Sequence, residues 1–146
     1  ALATCAARSG ALAAGSYSRT VGIYGRGGRR LEPLFVLEGH GGGVTGLRWS
    51  ACGNYVYSGA RRDDDIVCWD VRSGAGELYR LRRRAATNQK VQFDIEPAGR
   101  YLLSGGTDGR VRAYDLRDGS EVALGGAADG AGDGAGERGL LVCDGG

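Results

Sequence analysis

The stretch Ile66-Val67-Cys68-Trp69-Asp70 decides the fold of this chain, because similar stretches occur one period before it and one period after it. They are Thr20-Val21-Gly22-Ile23-Tyr24 and Val111-Arg112-Ala113-Tyr114-Asp115. Their aromatic residues, Tyr24, Trp69 and Tyr114, are separated by 45 residues in both steps. A period of about 40 to 45 residues ending in Trp-Asp is typical of the four-stranded blades of a β-propeller.

Each aromatic residue follows a turn of small residues, and each turn follows a short apolar run. In the middle repeat Tyr55–Tyr57 leads into Ser58-Gly59-Ala60, which predicts a hairpin of two strands. Upstream, Val44–Trp49 alternates apolar with polar or small residues, as a half-buried strand does. Downstream, Glu77–Leu81 supplies the fourth strand. Four short strands per repeat, without a helical period, predict an all-β fold.

The repeats also predict the domain organisation. We expect a partial blade over residues 1–37 that lacks most of its inner strand, a complete blade over 38–81 and a degenerate blade over 82–124. This amounts to about two and a half blades of a seven-bladed ring, hence a partial β-propeller. Because the chain has no Met and begins at Ala1, we expect it to be an excerpt of a longer reading frame. Residues 125–146 are rich in Gly, Ala and Asp, and we expect a flexible loop or tail there.

Composition narrows the classes of function. Residues 1–124 carry 18 basic and 13 acidic groups, a surplus that permits a phosphate-bearing partner without requiring one. No apolar run approaches the ~18 residues of a membrane span, so we expect no membrane partner. The cysteines show no zinc-ligand spacing, and we expect reduced thiols in an intracellular protein. They are Cys5, Cys52, Cys68 and Cys143.

The middle repeat resembles the WD-repeat family, whose blades join a loop His, a strand Ser, a turn Asp and a strand Trp by hydrogen bonds. The matching residues here are His40, Ser58, Asp63 and Trp69. Such a set lets four buried polar groups satisfy one another. The other repeats keep only part of the set. The third has Ser104 and Asp108 but Tyr114 for Trp and Ala86 in the His place, and the first has Ala14 and Ser18 in the Ser and Asp places.

The same residues do not predict catalysis or metal binding. Ser58 lies on a strand without a G-x-S-x-G elbow, and there is no second His to act as a base, so we expect no enzyme, no small-molecule substrate and no cofactor. Asp63-Asp64-Asp65 lacks the alternating ligands and closing Glu of a calcium loop. We therefore expect no metal, and an exposed turn whose acids pair with Arg61-Arg62.

Basic residues concentrate on two connections. Arg61 and Arg62 lie on the hairpin turn of the middle repeat, and a second cluster follows its last strand. That cluster consists of Arg82, Arg83, Arg84, Asn88, Gln89 and Lys90. Positive charge combined with amide side chains on one loop suits the phosphates and base edges of a single-stranded RNA loop. The alternative is that these are ordinary solvated turn residues.

Three stretches resemble one branch of the WD-repeat proteins, the telomerase Cajal body protein family. They are Gly39–Thr45, Tyr57–Asp63 running into Val67–Arg72, and Thr87–Asp94 with Pro97 and Gly99. The resemblance covers residues 1–124 and implies a nuclear scaffold without catalytic residues. Such a scaffold binds small Cajal body RNAs and, in animals, telomerase RNA, together with their ribonucleoprotein components, and directs these particles to Cajal bodies. The alternative is a protein-interaction adaptor that binds other proteins through the propeller faces without RNA specificity.

Because only the middle repeat has the full set of four polar residues, a change at His40 should have a large effect on stability. We predict that His40→Tyr in the full-length protein lowers the melting temperature and the soluble yield. Thermal unfolding and quantification of soluble protein measure both. Unchanged values for both would contradict the prediction.

Overall fold

The computed structural model describes residues 1–72 and 76–124. Their regular structure consists of β-strands only. These are β1 (Leu2–Thr4), β2 (Leu12–Gly15), β3 (Thr20–Gly27), β4 (Arg30–Glu38), β5 (Val44–Trp49), β6 (Tyr55–Ala60), β7 (Asp65–Asp70), β8 (Gly76–Arg82), β9 (Phe93–Ile95), β10 (Tyr101–Gly105), β11 (Val111–Asp115) and β12 (Glu121–Val122). The segment 125–146, for which a flexible loop or tail is predicted, lies outside the described residues, and so does Cys143.

The strands form three antiparallel sheets of four strands each, β1–β4, β5–β8 and β9–β12. Within each sheet every strand pairs with its neighbour in the sequence. This confirms the prediction of an all-β, partial β-propeller. The expectation that the first blade lacks most of its inner strand is wrong, because β1 pairs with β2 from Leu2↔Ala14 to Thr4↔Leu12. Three residues are enough to complete the first sheet.

The middle sheet is buried on both faces. Val67 and Trp69 of β7 belong to a core shared with the first sheet, whereas Ile66 and Cys68 belong to a core shared with the third sheet. Successive side chains of a strand point to opposite faces, so a strand in the middle of a sheet that is covered on both faces can be apolar at consecutive positions. This explains why β7 reads as a continuous apolar run rather than an alternating one.

The connections at one edge of the three sheets form a continuous row, here called the upper edge. It comprises residues 16–19, 39–43, 61–64, 83–92 and 106–110. Backbone hydrogen bonds link the connections from sheet to sheet. They run from Val44 N to Ser16 O at 3.0 Å, from Arg62 N to Thr87 O at 2.9 Å and from Thr107 N to Arg84 O at 2.7 Å. The lower edge carries the remaining turns, residues 5–11, 28–29, 50–54, 96–100 and 116–120.

A close approach of two backbones at the upper edge requires glycine. A Cβ atom on Gly42 would collide with the carbonyl oxygen of Arg61. The same two connections are joined by a hydrogen bond from Arg61 N to Gly43 O at 2.9 Å. Since both contacts involve backbone atoms, no side-chain rotation could make room for a Cβ atom at residue 42.

We therefore predict that Gly42→Ala lowers the free energy of unfolding by about 1–3 kcal/mol, the usual cost of forcing an extra carbon into a packed site. Thermal or denaturant unfolding of the full-length protein would measure the change. Gly76→Ala is the matched control, because a Cβ atom there meets nothing within 4 Å. Equal stability of the two variants would contradict the prediction.

Candidate functional site

The structure brings His40, Ser58, Asp63 and Trp69 together in one hydrogen-bonded chain, here called the tetrad. The indole Nε1–H of Trp69 donates to Ser58 Oγ at 2.7 Å. His40 Nε2 lies 2.6 Å from the same oxygen, and His40 Nδ1 lies 3.0 Å from Asp63 Oδ2. A carboxylate only accepts, so Nδ1 carries a proton. With a neutral imidazole, Nε2 then accepts the hydroxyl proton of Ser58.

Three of the four side chains of the tetrad are buried. Ser58 is fully buried, and His40 and Trp69 are 6% and 4% exposed. The two rings meet edge to face, with centroids 6.2 Å apart. A buried donor or acceptor that loses its partner costs about 1–3 kcal/mol. The tetrad therefore fixes two upper-edge connections, 39–43 and 61–64, onto the middle sheet.

Asp63 is the anionic end of the tetrad. Burial by itself would raise the pKa of its carboxyl group, but hydrogen bonds from His40 and from the backbone N–H groups of Asp65 and Gly41 outweigh burial and lower the pKa to about 2. Gly41 N lies 3.0 Å from Asp63 Oδ2. The carboxylate therefore holds both its own turn and the residue after His40.

The three neighbouring acids do not form the exposed turn paired with Arg61-Arg62 that the sequence suggested. Asp63 is bound to His40, Asp64 Oδ1 accepts from Ala85 N at 2.7 Å, and Asp65 Oδ2 lies 3.4 Å from Arg80 Nη1. Each acid thus has a separate structural partner. In the described part of the chain, no group of three His, Cys, Asp or Glu side chains is placed to hold a metal ion.

The third sheet replaces the tetrad by a different pair. Arg83 Nη1 donates to Ser104 Oγ at 3.2 Å and to Val91 O at 3.0 Å, and its guanidinium carbon lies 5.5 Å from the centroid of the Phe93 ring. Arg83 is only 2% exposed, and burial lowers the pKa of its guanidinium. Its inclusion among the RNA-contacting residues is therefore corrected, because it cannot reach a ligand at the surface.

The role of Arg83 was missed because spacing placed Ala86, rather than Arg83, in the His position. A signal for its role was present in the sequence, because the alternation of buried and exposed side chains along β8 continues past the end of that strand. Leu81, Arg83 and Ala85 are buried, whereas Arg82 and Arg84 are exposed. Tyr114, which stands where the middle repeat has Trp69, donates its hydroxyl to Arg82 O at 2.5 Å.

The remaining predicted contact residues lie at the upper edge and its margin. Arg62, Arg84, Asn88, Gln89 and Lys90 are exposed there, and Arg82 is exposed at the end of β8. Arg62 Nε donates to Asn88 Oδ1 at 2.6 Å, which joins the 61–64 turn to the 83–92 connection. Arg61 is half-buried, and its guanidinium carbon lies 5.4 Å from the ring centroid of Tyr17.

Charge is distributed differently at the two edges of the second and third sheets. Among the described residues, no carboxylate lies within 4.0 Å of the cationic groups of Arg62, Arg84, Lys90 or Arg110 at the upper edge. At the lower edge, Arg72 pairs with the Asp70 carboxylate at 2.6 Å. Arg100 and Arg117 share a second carboxylate, that of Asp115, at 3.5 and 2.8 Å. The upper edge therefore presents positive charge that the described residues leave available to an anionic ligand.

Two further expectations concern membrane-spanning segments and the state of the cysteine thiols. Within residues 1–72 and 76–124, no helix is long and apolar enough to cross a membrane. Cys5, Cys52 and Cys68 are free thiols, two of them buried and Cys52 exposed.

The three meandering sheets and the tetrad agree with a comparison against protein families. The protein-family model described as "WD domain, G-beta repeat" matches residues 31–70 and 85–115. The chain is therefore a WD-repeat protein.

Within this class the chain is related to telomerase Cajal body protein 1, which confirms the resemblance seen in the sequence. It is 43% identical to the protein of that name from Homo sapiens over 103 residues, which are 70% of this chain and 18% of the relative. For the homolog from Drosophila melanogaster the identity is 44% over 88 residues, 58% of this chain and 16% of the relative.

A similar identity connects the chain to a protein with a different name. It is 41% identical over 108 residues to guanine nucleotide-binding protein negative regulator 1 of Schizosaccharomyces pombe, covering 73% of this chain and 27% of the relative. The chain thus spans between 16% and 27% of the length of these three relatives.

The lowered pKa of Asp63 predicts a pH dependence of stability. Its ionised form stabilises the fold fully above the unfolded pKa of about 4, and this contribution, at most ~2.4 kcal/mol, is lost as the pH falls through about 2. Asp63→Asn lacks the contribution at every pH. We expect the gap in unfolding free energy between wild type and Asp63→Asn to narrow from about pH 5 to about pH 2. A constant gap across this range would contradict the role of the carboxylate.

Proposed function

We propose that the protein is a non-enzymatic nuclear scaffold that binds small Cajal body RNAs or telomerase RNA. In this proposal it associates with their ribonucleoprotein components and directs the particles to Cajal bodies. The similarity to proteins named for telomerase and the Cajal body, found in both Homo sapiens and Drosophila melanogaster, supports the proposal. The absence of a carboxylate partner for the upper-edge cations, within the part of the chain that the structure describes, is the single observation that carries it.

The chemistry of the upper edge fits a single-stranded RNA segment. Arg62, Arg84 and Lys90 are exposed cations that can neutralise phosphates and release their counterions. Asn88 and Gln89 lie between two of these cations on the same connection, and amide groups both donate to and accept from base edges. Phosphate contacts would supply affinity, and the amides would supply selectivity.

This surface is held in place before any ligand arrives. Arg62 is joined to the 83–92 connection through its backbone N–H and its side chain, to Thr87 O and Asn88 Oδ1. The tetrad anchors the turn that carries Arg62, through Asp63. Binding to a surface whose backbone is already ordered loses less conformational entropy.

The second candidate function is a protein-interaction adaptor without RNA specificity. The similarity to guanine nucleotide-binding protein negative regulator 1 favours it, since that name refers to regulation of a protein. The same cations could bind the carboxylates of an acidic peptide. The two functions differ in whether ribose and bases contribute to binding.

The proposal predicts that Arg84→Glu combined with Lys90→Glu weakens binding of the full-length protein to a small RNA hairpin about tenfold or more. The slope of log affinity against log salt should also become shallower by about 0.7 for each phosphate that the variant no longer neutralises. Fluorescence anisotropy of a labelled hairpin at several salt concentrations measures both quantities.

The charge-matched control is Arg29→Glu combined with Arg30→Glu, which changes two exposed residues at the lower end of the first sheet. It should leave RNA affinity nearly unchanged. Equal losses in the two variants would show that only net charge matters. An upper-edge variant that binds RNA normally but loses an acidic peptide would favour the adaptor instead.

A further inference from the structure

Tyr17 is an exposed aromatic side chain that the fold does not explain. It is 75% exposed, the largest value among the large apolar side chains in the described part of the chain. The others that exceed half exposure, such as Leu2 and Val111, lie in strands. Tyr17 lies instead in the 16–19 turn, at the upper edge.

Arg61 contacts this ring with its guanidinium group. The guanidinium carbon lies 5.4 Å from the ring centroid, within the range of a cation–π interaction. Arg61 Nε is buried and has no hydrogen-bond partner, and no carboxylate of the described residues lies within 4.0 Å of this guanidinium. The cation therefore covers one side of the ring without being neutralised, and the high exposure of Tyr17 leaves the rest of the ring open.

The turn that carries Tyr17 is held by hydrogen bonds of the residue before it. Ser16 Oγ accepts from Ser18 N at 3.0 Å, and Ser16 O accepts from Val44 N at 3.0 Å. Gly43 lies against the ring, since a Cβ atom there would be 2.9 Å from Tyr17 Cδ1. One edge of the ring therefore lies close to the backbone of the 39–43 connection.

We propose that Tyr17 and Arg61 form a stacking site for an unpaired nucleobase. A base stacks on an aromatic face whatever its identity, and a cation beside the ring neutralises the adjoining phosphate. Bases within a duplex already stack on one another, so the ligand of this site is a single-stranded loop. An acidic peptide would gain nothing from the ring, because the face of an aromatic ring is electronegative.

The site continues the basic surface described above. Arg61 is followed directly by Arg62, whose side chain reaches Asn88 on the next connection. A strand whose base stacks on Tyr17 would therefore meet Arg62 next and then the amides and Lys90. The inference rests on the proposed RNA binding and deepens it by assigning a nucleotide contact to Tyr17, which lies outside the two predicted clusters.

The test compares Tyr17→Ala and Tyr17→Phe in the full-length protein, using a labelled RNA hairpin with an unpaired loop. Loss of the ring should weaken binding by about tenfold, whereas Phe, which stacks as Tyr does, should retain the affinity. The salt slope should be the same for all three proteins, because stacking releases no counterions. Abasic nucleotides can then be placed in the loop one position at a time. At one position, the abasic substitution should abolish the difference in RNA affinity between wild type and Tyr17→Ala.

The matched control is Tyr101→Ala. The guanidinium carbon of Arg100 lies 4.9 Å from the centroid of the Tyr101 ring, but Tyr101 is the first residue of β10, next to the lower edge. It should leave RNA affinity unchanged. If Arg84→Glu with Lys90→Glu weakens binding while Tyr17→Ala behaves like Tyr101→Ala, the stacking site is wrong and RNA binding stands. If neither set of variants alters binding, the proposed function itself fails. An equal effect of Tyr17→Ala on fully abasic RNA would also overturn the stacking site.

Discussion

The hydroxyl group of Ser58 is the point on which the arrangement of the upper edge depends. It lies at zero exposure and joins three separate parts of the chain, β6, β7 through Trp69 and the 39–43 connection through His40. A hydroxyl has one proton to donate and two lone pairs, so it can accept from the indole and donate to the imidazole at once. Because water cannot replace either partner inside the core, the two connections are bound to the sheet with little freedom.

Further hydrogen bonds hold the neighbouring connections of the upper edge in place. The Asp63 carboxylate accepts hydrogen bonds from His40 Nδ1–H and from the backbone N–H of Gly41, and the Asp64 carboxylate accepts one from the backbone N–H of Ala85. The third sheet continues the row with a buried arginine, Arg83, bonded to Ser104. The surface cations are therefore carried by connections whose backbones are tied to buried groups, which suits a scaffold that recognises its ligand without rearrangement.

The proposed binding residues and the residues that stabilise the fold are neighbours in the same segments. In the 83–92 connection, Arg83 faces the core and Arg84 faces solvent. In the 61–64 turn, Asp63 belongs to the tetrad while Arg62 is exposed and reaches Asn88. In the 83–92 connection this division arises because the alternation of side chains along β8 continues past the end of the strand. In the 61–64 turn it accompanies the left-handed backbone of Arg62, whose φ is 53°. Substitutions one residue apart should therefore affect either the folding of this protein or its binding.

The sequence by itself determined the features that repeat or follow fixed spacing. A period of 45 residues implied four-stranded blades, and the set from His40 to Trp69 matched the family pattern because each member has a set place within one repeat. Only the tertiary structure decided which cations are exposed and which side chains meet across repeats. Tyr17 and Arg61 are 44 residues apart and belong to different sheets, and the burial of Arg83 depends on Phe93 and Ser104 of the next sheet. Local periodicity encodes strands, whereas burial and contact depend on packing between sheets, which no single stretch of the chain contains.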